Sequence, residues 1–410
     1  MRQRILLYFL FLSYKLFAQI PLTDVSFEFK KSSDYHQLIT NVNPKTLEIV
    51  TFATDKEKLF VAKFNSFVFF SDSLTVPKPD GLRYMMGCGF TENNNPISYW
   101  ATEKLDKFIG IEFDFASHTT KTFEYTINLT DYNVFTDFTD NGILYFLCEK
   151  EDSKMVQLFI FDGHNVIHKE LDFSKCTILN KNVKNISFIK ALNEYGLTKI
   201  ETKGFNSFVT ASNPIKYYVK NNTLIITLDI NPIKTQIFEV DLGSFKIKES
   251  TFPQEQATKE PKQSNSLLIN DYLFQLKFYD DALEIQIVDY INKKSVKSFL
   301  INEKNPSPFS NSVFYNQVNN TQPTELKNTK KFIRKLLNSN LGISIYPFKG
   351  NYIATFGSSK NIRSNSDFFY DFASIASGYD LEDFIGSGNQ VFKTPFLMCF
   401  LMLILKKQLH

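Results

Sequence analysis

The chain has 410 residues, 43% of them apolar, 15% aromatic and 22% charged, the balance of a globular chain and not of a disordered one. Its 46 basic and 43 acidic residues give a net charge of +3, but Arg2, Arg4 and Lys15 all fall in the first 18 residues. The remainder is close to neutral, so charge gives no support to nucleic-acid binding.

Residues 1–18 read as a secretory signal. Arg2 and Arg4 form a basic start, Ile5–Leu12 an apolar stretch, and Ser13–Ala18 a looser segment with a cut expected before Gln19. The apolar stretch is too short to span a bilayer. The expected location is outside the cytoplasm: periplasmic, outer-membrane-associated or extracellular.

A series of short apolar runs follows, each ending in Asp or Asn before a polar turn. Leu59–Phe64 and Phe67–Phe70 flank Asn65; Phe108–Phe113 and Lys121–Ile127 flank Asp114. Ile143–Cys148, Val156–Phe161 and Val166–Leu171 are punctuated by Asn141-Gly142 and Asp162-Gly163, both strong hairpin signals. Leu224–Leu228, Gln236–Val240 and Phe245–Lys248 repeat the order around Asp241. Leu273–Phe278, Leu283–Val288 and Ser295–Leu300 repeat it around Asp289. The five acidic or amide positions are 49, 48, 79 and 48 residues apart. Such a period predicts an all-β fold, a β-propeller of about six blades: five anchored units and a C-terminal hairpin. Two unrelated β-sandwiches are the competing reading.

The long gap predicts an insertion within one blade at 177–212, with a short helix over Ser187–Tyr195. Phe252–Ser266, rich in Gln, Glu, Lys and Pro, reads as a solvated loop, and Asn302–Thr324 as a second break. One amphipathic helix is expected over Glu325–Asn338, capped by Thr324. Leu326, Phe332, Ile333, Leu336 and Leu337 make its apolar face, and Lys327, Lys330, Lys331, Arg334 and Lys335 its solvated one. A hairpin pairs Ile343–Tyr346 with Tyr352–Phe356. The propeller is thus expected over 19–360 and a C-terminal extension over 361–410. Phe396–Leu405, ten apolar residues, is too short to cross a membrane as a helix. Burial, or an aberrant end of the reading frame, is favoured over membrane association through this tail.

Catalytic signatures are missing: there is no HExxH, GxSxG, GxxxxGK[ST] or GxGxxG. Cys88, Cys148, Cys176 and Cys399 form no CxxC pair; buried free thiols are expected, a disulfide being the alternative. His164 and His168 lie four apart, with Asp162 two before the first, but a metal there needs a ligand from elsewhere, and a polar turn is the simpler reading. His36 and His118 read as turn residues. Asp131, Asp137 and Asp140, and the pair Asp280-Asp281, read as turn acids without calcium-loop spacing. Tyr84, Tyr99 and Trp100 would suit an aromatic platform, though a core role is preferred. No catalytic, cofactor-binding or metal residue is therefore nominated.

The blade-like units, the segment Gly342–Gly357, the Phe17-Ala18-Gln19 boundary and the Lys/Asn/Phe-rich composition resemble exported β-propeller-like proteins of the Bacteroidota. The resemblance implies export and a β fold, carries no catalytic motif, and transfers no site residue. The expected function is an exported binding or scaffolding module of the cell envelope, with an envelope protein or glycan as partner. The expected ligand surfaces are 177–212 and 252–266. The alternative is a carbohydrate-active enzyme with paired carboxylates at the propeller channel.

Overall fold

The computed structural model describes residues 24–29, 36–202, 204–253, 260–305, 313–318, 321–337, 339–348, 351–362 and 391–401. The predicted signal at 1–18 lies outside them. The described chain is all-β, built from successive antiparallel sheets.

Sheet 1 is β1 (Gln37–Val42), β2 (Ile49–Thr54), β3 (Lys58–Phe64) and β4 (Phe70–Pro77). Sheet 2 is β5 (Tyr84–Phe90), β6 (Pro96–Ala101), β7 (Phe108–Asp114) and β8 (Thr119–Tyr125). Sheet 3 is β9 (Tyr132–Asp140), β10 (Ile143–Lys150), β11 (Val156–Asp162) and β12 (Asn165–Leu171). A connection follows: the pair β13 (Ile178–Leu179) and β14 (Asn185–Ile186), then helix α1 (Phe188–Tyr195), β15 (Thr198–Lys199) and the single turn α2 (Phe208–Ala211). Sheet 4 contains β15 and then β16 (Ile215–Lys220), β17 (Thr223–Asn231), β18 (Lys234–Asp241) and β19 (Ile247–Pro253). Sheet 5 is β20 (Gln263–Ile269), β21 (Tyr272–Phe278), β22 (Ala282–Asp289) and β23 (Ser295–Asn302). The last sheet draws on β24 (Phe314–Val318), β25 (Thr324–Glu325), helix-flanked β26 (Asn340–Phe348), β27 (Asn351–Ile362) and β28 (Val391–Leu401), in the spatial order β25-β24-β28-β27-β26. Helix α3 (Thr329–Leu336) connects β25 to β26.

The 48-residue spacing has a simple structural origin. Asn65, Asp114, Asp162, Asp241 and Asp289 each close the third meander strand of a sheet and open the turn to the fourth. Four of the five accept backbone amides in that turn: Phe67 N on Asn65 at 2.9 Å, Ala116 N on Asp114 at 2.9 Å, Ser244 N on Asp241 at 2.6 Å and Asn292 N on Asp289 at 2.8 Å. Short acidic and amide side chains do this because they reach the backbone two or three residues on.

The middle strands read as continuous apolar runs because both faces of each sheet are covered. In β10, Leu144, Phe146 and Cys148 pack toward sheet 2, while Tyr145 and Leu147 pack toward sheet 4. Separate clusters bind sheet 1 to sheet 2, through Phe52, Val61, Trp100 and Phe113, and sheets 4 to 6, through Tyr218, Phe274, Leu283 and Ile343. The outer strands β8, β12 and β23 are largely exposed and polar. Lys121, Lys169 and Lys297 lie on them, charges that discourage pairing with another chain.

Four expectations need correction. The 177–212 segment mostly precedes sheet 4, which it joins only through β15, and part of it is core. Ile178, Ile186, Phe188 and Leu192 are buried in the core between those sheets, and Ser344 Oγ donates to the Asn206 carbonyl at 2.6 Å. The 252–266 segment is not wholly a loop: Phe252 is buried on β19, and Ser264, Asn265 and Ser266 are buried on β20. Its residues 254–259 lie outside the described set. The C-terminal helix is shorter than expected, because Thr324 pairs in β25 and Asn328 is the cap, accepting from Lys331 N at 3.0 Å. Its Phe332, Ile333 and Leu336 are buried while Lys331, Arg334 and Lys335 face solvent, the usual pattern of a docked helix. Finally, residues 391–401, expected in an extension, form β28 between β24 and β27, and the break at 302–324 contains β24.

Candidate functional site

In an antiparallel meander the first and third turns emerge at the same end of a sheet. Here those turns also touch from sheet to sheet. Gly142, in the β9–β10 turn, lies against Phe90 and Pro44, and Gly163, in the β11–β12 turn, lies against Thr91. The Asn222 amide reaches the Asp140 carboxylate, Lys220 Nζ donates to the Asn270 carbonyl at 3.3 Å, and Asn270 Nδ2 donates to Tyr352 Oη at 3.1 Å. One end of the molecule is therefore a continuous surface of Asn- and Asp-rich turns.

The first strand of sheet 2 carries two glycines, Gly87 and Gly89, where sheet 3 packs closely against it. A Cβ on Gly89 would collide with the Gly142 carbonyl oxygen, and one on Gly87 would meet Leu144 at 2.9 Å. A cavity of about 400 Å³ lies between sheet 1 and sheet 3, lined by Thr40, Asn41, Val42, Pro44, Thr139, Asp140, Asn141 and Gly142. Its polar groups are ordered. Asn41 Nδ2 donates to the Cys88 carbonyl at 3.0 Å, and Asn141 Nδ2 to Asp140 Oδ2 at 3.1 Å. Burial raises the Asp140 carboxyl above its ordinary range, opposed by the Asn222 amide. Beside the cavity, Asn43 is buried; its Oδ1 accepts from Lys45 N at 2.8 Å, whereas its Nδ2 has no partner. A buried donor left unpaired is costly, and here it adjoins a polar opening.

A second polar cluster sits on the same end. Glu112, buried on β7, accepts from Asn95 Nδ2 at 2.8 Å and lies 3.1 Å from His164 Nε2, whose ring stacks over Phe123 at 4.0 Å. Burial alone would raise the Glu112 carboxyl, but the bonds from Asn95, His164 and Thr91 outweigh it and hold it below its usual range. The pair ties the β5–β6 turn to the β11–β12 turn.

Asp137, expected in a turn, lies on β9. Its side chain keeps limited solvent contact, and burial pushes its carboxyl up to about 7, with Lys199 opposing. The Tyr217 hydroxyl donates to the Asp137 carbonyl at 3.0 Å.

A third cluster is enclosed. Lys216 and Asp229 have side chains with no exposure, Nζ to Oδ2 at 3.4 Å. Lys216 also donates to Asn265 Oδ1 at 2.6 Å, and Asn265 Nδ2 donates to the Leu341 carbonyl at 2.6 Å. Ser266 N and Oγ both donate to Asp229 Oδ2 at 2.8 Å, and Thr235 Oγ1 to Oδ1 at 2.7 Å. Burial lowers the Lys216 ammonium and Asp229 pulls it back. The network fastens sheets 4, 5 and 6.

The remaining sequence candidates separate. His164 pairs with Glu112, while His168 Nε2 contacts Gln157 Oε1 at 2.7 Å and its ring stacks on Phe159. His118 lies 3.6 Å from Asp72, and Asp280 pairs with Lys262 at 2.5 Å. Among the described residues, no group of three or more His, Cys, Asp or Glu is placed to hold a metal. Tyr99 and Trp100 are buried, so they form no platform. Cys88, Cys148 and Cys176 are free thiols; burial pushes Cys88 up to about 12 and Cys176 up to about 11, far from a reactive thiolate.

No family model and no curated protein matches the chain. Among solved structures it is similar to cobalt-substituted Synechocystis apocarotenoid oxygenase, at 10% identity and a TM-score of 0.33 over 66% of this chain and 63% of that one. It is also similar to a prolyl endopeptidase, at 11% identity and a TM-score of 0.34 over 78% of this chain and 39% of that one. The chain thus spans less than two thirds of either. Likeness of this degree carries neither activity nor substrate.

Proposed function

We propose that the chain is an exported binding module of the cell envelope, a β-propeller of six blades whose ligand face is the Asx-turn end. The observation that carries this reading is the cavity between sheets 1 and 3, lined by neutral amides and hydroxyls around one carboxyl, with the unpaired Asn43 amide beside it. Rigid sheets that present loops at one end are a common basis for ligand capture. The lining favours a neutral ligand rich in hydroxyl or amide groups, a glycan or an extended peptide segment. The same surface offers the fixed Glu112–His164 pair as a neighbouring contact. The propeller reading is supported by six successive sheets, five of which carry one repeated turn at matching positions.

The test is a glycan array and a crosslinked pull-down from native envelope extract, run with the natural chain and with Asn41→Ala/Asp140→Ala. Capture of a glycan or protein that the double variant loses, at unchanged unfolding temperature, supports the reading. Capture that is indifferent to both substitutions removes the cavity as the site.

A carbohydrate-active enzyme is the second reading: burial pushes the Asp137 carboxyl on β9 up to about 7, and a general acid needs a raised value. The charge acting on it is Lys199, not a second carboxylate. Glycoside cleavage abolished by Asp137→Asn would support this second reading.

A further inference from the structure

We propose that the β3–β4 turn of sheet 1 is a lipid-insertion tip that seats this end of the molecule on a membrane surface. The turn reads Asn65-Ser66-Phe67-Val68-Phe69-Phe70, and its apolar side chains are exposed: Phe67 by 76%, Phe69 by 56%, Phe70 by 44% and Val68 by 37%. Beside it, in the β1–β2 turn, Leu47 is 59% exposed. The tip is held in shape. Asn65 Oδ1 accepts from Phe67 N at 2.9 Å and Phe69 N at 3.0 Å, Asn65 N donates to the Phe69 carbonyl at 2.9 Å, and Val68 N to the Asn65 carbonyl at 2.9 Å. Val68 takes φ 69°, a strained choice for a β-branched residue.

The equivalent turns show that the fold does not require this. Sheet 2 carries Ala116, Ser117 and His118 there. In sheet 4 the apolar residue, Phe245, packs against the core, and sheet 5 exposes one apolar residue, Ile291. Among the described residues Phe70 packs edge-on against Phe64, ring centroids 6.1 Å apart, yet all three phenylalanines of sheet 1 stay largely exposed.

Size and shape select the occupant. At roughly 200 Å² per aromatic side chain, the three phenylalanines expose about 350 Å², well below the roughly 800 Å² per partner of a stable protein interface. A turn at a hairpin end is also convex, which suits a deformable lipid interface that accepts aromatic side chains. The surrounding charge is balanced, Lys63 pairing with Glu48 at 2.9 Å and Asp72 lying 3.6 Å from His118. Apolar insertion, not attraction to anionic headgroups, is therefore the driving force.

The experiment is flotation of the purified full chain with phosphatidylcholine vesicles, at physiological and at molar salt. The natural chain is expected to float at both, and Phe67→Ser/Phe69→Ser to lose partitioning by about tenfold per phenylalanine removed. Ile291→Ser should float as the natural chain does. Because Trp100 is buried, Phe67→Trp adds a readable tip signal, and its emission should shift to the blue on vesicles. The proposal is overturned if the natural chain stays unbound, if binding vanishes at molar salt, or if the double variant floats equally, since another segment then carries attachment. It is also overturned if the substitutions instead dissolve a dimer seen by sedimentation.

Discussion

Asp229→Ala removes four contacts at once: the ion pair to Lys216, both bonds from Ser266 and the bond from Thr235. Lys216 then keeps Asn265 as its polar partner, with its charge fully buried. Breaking one side of a buried pair costs about 3–5 kcal/mol, because the remaining ion is uncompensated. That is a large fraction of the roughly 5–15 kcal/mol that holds a domain folded. Lys216→Met should cost less, since Asp229 keeps three donors from Ser266 and Thr235. The double variant Lys216→Met/Asp229→Leu should be more stable than Asp229→Ala, because no charge is left buried. Equilibrium urea unfolding measures all three, followed by far-UV circular dichroism. The reasoning is refuted if Asp229→Ala costs less than about 1 kcal/mol, or if the double variant is the least stable of the three.

Three further outcomes follow from the geometry. Asp137 has its carboxyl raised from 3.8 to about 7 in the fold, so its stabilising contribution is complete below its ordinary value and is lost as pH rises through about 7. Asp137→Asn should therefore gain thermal stability relative to the natural chain between about pH 5 and pH 8, and equal gains at both would contradict the assignment. Gly89→Ala drives a methyl group into the Gly142 carbonyl; backbone cannot step aside as a side chain can, and urea unfolding should register a loss of about 1–3 kcal/mol. Asn328→Ala removes the cap of α3 and should cost about 1 kcal/mol in the same assay, while Thr324→Ala, outside the helix, should cost less.

Much of the fold was legible because a turn residue is a local signal. Asn65, Asp114, Asp162, Asp241 and Asp289 mark one turn in five sheets, since each stops a strand and four of them bond the next backbone amides. The short helix after Ser187 was legible for the same reason, its cap accepting from Lys190 N at 3.1 Å. Of the sixth sheet only the hairpin of β26 and β27 was legible, Ile343 pairing with Phe356 and Tyr346 with Ile353; β28 enters between β24 and β27 from far along the chain, and no local pattern encodes such pairing. The C-terminal helix was misjudged at its start, where pairing of Thr324 with Asn316 overrode its capping preference.

The candidate site was barely legible. The cavity joins residues about 100 positions apart, such as Thr40 and Asp140, which no local pattern brings together. One usable clue was passed over. Glu112, Lys216, Asp229 and Lys277 are lone charges inside apolar strands, and a charge there must be paired to be buried. Each has such a partner: His164 for Glu112, Asp229 for Lys216, and Glu284 for Lys277 at 3.5 Å. The Phe67–Phe70 run was read as a strand; its exposure depends on Asn65 closing the turn before Phe69.

The measurement that tests the account most directly is a spin-label distance between the first and last sheets. Thr75→Cys on β4 and Glu325→Cys on β25 place labels on exposed outer strands of sheets 1 and 6. Thr75→Cys with Lys121→Cys, and Lys297→Cys with Glu325→Cys, calibrate the spacing of sheets known to be neighbours. A closed six-bladed ring requires the Thr75–Glu325 distribution to be as short and narrow as the two calibrating ones. A broad distribution, or one centred well beyond them, would show an open arc and contradict the propeller on which the proposed ligand face rests.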